Sequence, residues 1–244
     1  RLGREPSNVM LRLELRELLA PKIALRKPYN LSSNKTDQEP INVRDRVDWE
    51  LVLAADNVRY VISHDVNNQQ WKTALPYFLD ELQQLLRDAL DLQRELNDAS
   101  EYRDFSYLAL PSIALYDSHS GHYDWLVLVE LLREAWLIVL KCDRVQAINI
   151  AQSWFSLPYP LFKRLALFAA SQDDCISSEL WSEWLRSDNG RWLWASDTES
   201  EMLNLFEAQG KLLTGNAQAQ LEAAILAGPP SELESTRIYI EHSI

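Results

Sequence analysis

Two histidines and two aspartates fall within eight residues, D-S-H-S-G-H-Y-D at 117 to 124, which brings Asp117, His119, His122 and Asp124 close together in the chain. Imidazole nitrogens and carboxylate oxygens together suit zinc or a similar ion, so this loop is the natural place for a metal-dependent enzyme. Zinc ligands, however, usually sit at more regular spacing on defined elements. Asp124 also stands where a carboxylate would cap a helix beginning at Trp125. A capped loop with solvent-exposed histidines is the plainer account, and no metal or cofactor is assigned.

Other chemistries find less. Cys142 and Cys175 are the only cysteines, neither adjoins a histidine, and no G-x-S-x-G elbow occurs. Nucleophilic catalysis has no signature, and both thiols are expected to behave as small buried hydrophobes. The six glycines, at 3, 121, 190, 210, 215 and 228, form neither a phosphate-cradling loop nor a dinucleotide fingerprint. Adjacent acids at Asp80 and Glu81 and at Asp173 and Asp174 are expected to diverge into solvent. Lys163 and Arg164 are expected to form surface salt bridges. No catalytic residue is assigned.

Tryptophan is the unusual residue, with nine copies at 49, 71, 125, 136, 154, 181, 184, 192 and 194. Large rings bury much area and also anchor interfaces. Packing between helices is expected to absorb most of them. Trp181, Trp184, Trp192 and Trp194 flank the turn at Asn189 and Gly190. With Pro111, His119 and His122 of the 111 to 123 loop, they are the candidate partner contacts.

Most of the elements that must carry these residues are helical. Leu11, Leu13 and Leu15 alternate with charged residues and predict a strand, although Leu11, Leu15, Leu18 and Leu19 also fit a helical stripe. Ile23 to Arg26 would pair with it as a second strand, and residues 28 to 46 form a polar connection containing Pro28 and Pro40. Apolar spacings of three and four predict one helix over 46 to 63, and their recurrence from Trp71 to Leu96 predicts a long helix that starts near Pro76. An irregular stretch from 97 to 123 follows, long enough to be a contact surface. Helices then recur at about 124 to 140, 143 to 155, 158 to 171, 177 to 187, 196 to 213 and 216 to 227. Asp143 is expected to cap one, Pro158 to begin another, Ser196 with Glu199 to form a capping box, and Gly228 to stop the last.

Length and charge bound the function. The 244 residues suffice for one large domain or two small ones. A net charge of −12 opposes non-specific nucleic-acid binding. Residues 1 to 46 hold 10 basic and 6 acidic side chains, the remainder 14 and 30, a polarity that points to a division near residue 46. Two thiols without a pairing pattern point to a reducing compartment, hence the cytoplasm. Apolar runs such as Trp136 to Leu140 are far below the roughly 18 residues of a membrane span. An Arg at position 1 and an apolar run near Ile244 give the expectation that this is a piece of a longer protein.

Several segments carry a resemblance: R-D-R-V-D-W-E-L-V-L-A-A-D (44 to 56), L-L-R-D-A-L-D-L-Q-R-E-L (85 to 96), P-S-I-A-L-Y (111 to 116) and H-Y-D-W-L-V-L-V-E-L-L-R-E-A-W (122 to 136). W-F-S-L-P-Y-P-L-F-K-R-L-A-L-F-A-A (154 to 170), W-L-W (192 to 194) and L-E-A-A-I-L-A-G-P-P (221 to 230) extend it. Together they resemble the carboxy-terminal helical region of large bacterial STAND-type (signal-transducing) NTPases, some of which act in anti-phage defence. The resemblance implies a sensor or scaffold module whose nucleotide site and effector lie elsewhere, and it carries no catalytic residue onto this chain.

The expectation is therefore a mainly α protein, an irregular HEAT-like α-solenoid array with a small amino-terminal β element. Residues 1 to 46 would hold the β element and linker, and residues 47 to 244 the helical-repeat-like domain. Its function would be non-catalytic binding of protein partners, including the rest of its own parent chain or a phage protein, with no nucleic acid and no membrane. The alternatives are a metal-dependent enzyme using the His119 and His122 loop, or a free-standing adaptor.

Overall fold

The computed structural model describes residues 9 to 27, 47 to 56, 58, 69 to 114, 123 to 172 and 175 to 233. In chain order these form α1 (Val9–Leu19), β1 (Pro21–Arg26), β2 (Asp48–Leu53), α2 (Gln69–Ala74), α3 (Leu79–Glu95) and the single-turn α4 (Ser106–Ala109). There follow α5 (Val127–Cys142), α6 (Arg144–Ser156), α7 (Pro160–Ala170), α8 (Ser178–Trp194), α9 (Glu199–Gln209) and α10 (Gly215–Ala227). The chain is mainly helical, with one small antiparallel sheet.

The amino-terminal β expectation is only half right. Leu11, Leu15 and Leu19 are buried at a spacing of four while Leu13 and Leu18 are exposed, so residues 9 to 19 are a helix and not a strand. The Leu–charge alternation coincides with a helical stripe, and packing on α3 selects the stripe. Arg12 Nη2 meets Glu81 Oε1 at 2.6 Å across that contact. The predicted strand at Ile23 does form within β1, but its partner is β2, in the register Ile23 to Leu51 and Leu25 to Trp49. Residues 48 to 53 are thus extended, in place of the helix expected from 46 to 63. Leu51 and Leu53 point inward two residues apart, and β1 satisfies the backbone. The sheet joins segments on either side of residue 46. Residues 28 to 46, the expected polar connection, lie outside the described residues.

Two helices form the centre. In α7 every residue except Lys163 is buried, and α5 buries nine of its side chains. A helix apolar all round must be enclosed, and α6, α8 and α9 pack on α7 while α3 and α6 pack on α5. The long helix expected to start near Pro76 forms as α3, entered through a 3-10 turn, Leu75–Phe78, with Pro76 inside it, while the Trp71 end of the same periodicity belongs to the separate α2. Proline lacks the N–H that a continuous ladder requires.

Helix ends show which signals acted. Asp143 caps α6 through Gln146 N–H at 3.0 Å, and Gly228, at φ +79°, ends α10. Pro160 rather than Pro158 opens α7. No Ser196–Glu199 capping box forms: Thr198 is the N-cap of α9, and its hydroxyl donates back to Trp192 and Ala195 carbonyls. Asp124 lies inside a 3-10 turn, Asp124–Leu126, and makes no cap bond. Within α8, Asp188, Asn189 and Gly190 all have positive φ, so the helix is broken there and its last turn reorients.

Candidate functional site

The tryptophans illustrate how burial sorts candidates. Trp181 and Trp192 are 1% exposed and Trp184 is 6%, whereas Trp194 is 38% exposed. Trp181 meets Phe206 edge-on at 6.1 Å, and Trp184 stacks on Phe155 at 4.8 Å. Three of the four candidate contact rings therefore spend their area inside the chain, and Trp194 is the one at the surface. Pro111 is also exposed, while His119 and His122, with Asp117, lie outside the described residues. Among the described residues no three His, Cys, Asp or Glu side chains gather as a metal site would need.

The segment from 104 to 113 departs from an open contact loop. Asp104, Ser106, Leu110, Ser112 and Ile113 are buried. Asp104 takes the N–H of Ser106 at 2.9 Å and that of Leu161 at 2.6 Å, the latter placing a carboxylate at the positive end of α7. Arg164, fully buried, donates through Nε to Glu201 Oε2 at 2.8 Å and through Nη1 to Ser106 Oγ at 3.2 Å. Glu201 Oε1 accepts the Ile113 N–H at 2.6 Å, and Arg133 Nη1 donates to the Ile113 carbonyl at 2.7 Å. Arg164 is thus the heart of a buried network and not a surface ion pair. An arginine inside the apolar run L-F-K-R-L-A-L-F-A-A is the signal that could have shown this, because a buried guanidinium requires acceptors. Nothing local marks Glu201 as its partner.

Cys175 is buried as expected, but Cys142, at the end of α5, is exposed. Lys163 lies over the Phe155 ring at 4.7 Å and the Trp192 ring at 5.5 Å, and burial pushes its pKa down. Asp197 is pushed up to about 6, first by burial and then by Asp104, despite a backbone hydrogen bond and the nearby Arg164 and Arg191. These groups tie loops to helices and face no shared reactive centre.

A concave site does exist on the other side of the 104 to 109 segment. A cavity of about 280 Å³ lies between β2, the end of α3, α4 and the start of the 124 to 126 turn. Trp49, Phe105, Tyr123 and Trp125 give it aromatic walls, and Glu50, Asp98 and Asp104 are its charged residues. Among the described lining residues there is no Lys, Arg or His. Trp49 Nε1 donates to Asp98 Oδ2 at 2.9 Å, and Arg26 holds Glu50 at 2.7 Å. The sequence reading did not find this site, because its residues come from four separated segments. Compared with family models, curated proteins and solved structures, the chain shows no significant match.

Proposed function

We propose that the chain is a non-catalytic helical module that binds protein partners as a sensor or scaffold. The carrying observation is apolar surface left exposed on the first described helix and on the last two. Val9 and Leu13 of α1 are 65% and 49% exposed, and Leu203, Leu212 and Leu226 at the other end are 55%, 52% and 87% exposed. Helix α10 buries only Ala217 and Leu221, so the described residues cover little of its other faces. Large apolar residues at the ends of stacked helices are what a neighbouring repeat or partner covers, since terminal repeats exposed to water carry polar outer faces. The helical pairs α5–α6, α6–α7 and α8–α10 are read here as an irregular HEAT-like stack on this ground. The acid excess disfavours nucleic acid as the partner. No helix among the described residues is long and apolar enough to cross a membrane.

The resemblance to STAND-type NTPases supplies the setting: a cytoplasmic, bacterial switch protein, with a role in anti-phage defence, whose nucleotide site lies outside this segment. The test is the intact mass of the natural polypeptide that contains it, together with its reading frame upstream. A mass several times the 28.2 kDa of this chain, with a phosphate-binding loop upstream, is expected. A polypeptide of 28.2 kDa would overturn the NTPase setting and leave a free adaptor.

A further inference from the structure

The cavity between β2 and α4 is lined in part by large apolar side chains that the fold leaves in water. Phe105 is 42% exposed, Leu108 68% and Tyr123 46%, while Trp125, in the same wall, is buried. Phe105 is held at φ +55°, a left-handed backbone that a bulky residue adopts only under constraint. Its two neighbours supply the constraint. Asp104 is buried and accepts the Ser106 and Leu161 N–H groups, and Ser106 is buried with its hydroxyl oxygen accepting from Arg164. Holding an aromatic residue in a strained conformation at an exposed position lowers the stability of the isolated chain, and such outliers gather where a ligand or partner is gripped.

The lining selects the chemistry of that partner. Its charged residues are Glu50, Asp98 and Asp104, with no cation among the described lining residues, which opposes a phosphate or carboxylate. Arg26 takes only Oε2 of Glu50, and Oε1 has no partner among the described residues. Arg103 is the other cation nearby, its Cζ 4.8 Å from the Phe105 ring centroid, so that ring already carries one guanidinium. Three carboxylates therefore stand against two arginines, both outside the lining. Aromatic rings beside carboxylates suit a guanidinium above other cations, because it is planar, stacks on rings and meets a carboxylate through two N–H groups. A volume of about 280 Å³ is small for a ligand pocket and suits a single long side chain.

We propose that this cavity receives an arginine side chain of a protein partner, its aliphatic stem on the exposed apolar residues and its guanidinium against the carboxylates. The inference rests on the reading that the chain binds protein partners. It adds a contact made by residues other than the exposed apolar ones of α1, α9 and α10.

Two-dimensional NMR of the nitrogen-labelled chain, following the indole N–H signals of Trp49 and Trp125, tests this with a capped glycine-arginine-glycine tripeptide. The contrast is the same tripeptide carrying citrulline, which keeps the shape of arginine and loses its charge. Saturable shifts with a Kd of about a millimolar are expected for the arginine peptide, and binding about fivefold weaker or less for the citrulline peptide. Glu50→Gln and Asp98→Asn keep an acceptor for Arg26 and for the Trp49 indole while each removes one charge. Each should weaken the arginine peptide about threefold and leave the citrulline peptide unchanged. Damage to the wall would weaken both peptides alike, so the difference separates recognition from structure. Phe105→Leu keeps the position apolar but removes the ring, and should weaken the arginine peptide about threefold. Absence of saturable shifts would overturn the proposal, as would equal binding of citrulline or charge variants that affect both peptides equally or neither. Any of these results removes the arginine site alone, because docking through the exposed leucines is read separately, by cross-linking of the intact polypeptide.

Discussion

Replacing Asp197 with asparagine should stabilise the protein at neutral pH, and the gain should shrink to about a third of that at pH 4.5. Asp197 stands between α8 and α9, with Oδ1 buried and unpartnered, and its pKa is raised from 3.8 to about 6 by burial and by Asp104. The fold therefore binds a proton that the unfolded chain releases between about pH 4 and 6, and stability falls as pH rises through that window. Above it, the ionised carboxylate is a standing cost. The full shift corresponds to about 3 kcal/mol at 1.36 kcal/mol per pH unit, and partial solvent contact reduces the expected gain to about 1–2 kcal/mol. For a chain of this length that is a rise in Tm of about 3–6 °C. Thermal unfolding of parent and Asp197→Asn at pH 7.5 and pH 4.5 isolates the effect, because the other carboxylates titrate alike in both. An equal Tm difference at the two pH values would refute the reasoning, as would a destabilised variant at pH 7.5.

The other expectations rest on packing and pairing. Glu201→Ala leaves Arg164 buried and short of acceptors, and should cost about 3–5 kcal/mol by urea denaturation, whereas Arg164→Met with Glu201→Leu should recover part of that loss. Trp192→Ala, in the core, should cost about 3–5 kcal/mol, but Trp194→Ala should cost below about 1 kcal/mol, measured in the same way. Asp143→Ala removes the α6 cap and should cost about 1 kcal/mol. Gly190→Ala places a Cβ at φ +79° following two other left-handed residues, and should cost about 1–2 kcal/mol although nothing lies within 4 Å of that Cβ.

How far the sequence was legible depended on whether local pattern and tertiary contact agreed. Around α3, apolar spacing, helix-forming residues and an acidic first turn all point the same way, and the helix forms. At α1 the same leucines satisfy two periods, and only the docking of Leu11, Leu15 and Leu19 decides between them. At β2, D-W-E-L-V-L reads as helix in a window that runs on to Val58, but pairing with β1 supplies hydrogen bonds that no window over 46 to 63 contains. Long-range pairing also hid the functional geometry. Glu201 reaches Arg164 over 37 positions and Ile113 over 88, and the cavity joins Trp49, Gln93, Phe105 and Trp125 from four segments. Richness in tryptophan was visible from composition, but which rings are covered was not.

Cross-linking of the intact natural polypeptide through Lys211 tests the docking account most directly. This lysine is exposed in the turn Gly210–Leu212, beside the exposed Leu212 and between the helices that carry the exposed Leu203 and Leu226. The account predicts cross-links from Lys211 to residues beyond these 244 or to a protein partner, lost on Leu203→Glu with Leu226→Glu while the melting temperature of the chain is kept. Cross-links from Lys211 confined to these 244 residues, unchanged by the double substitution, would contradict it.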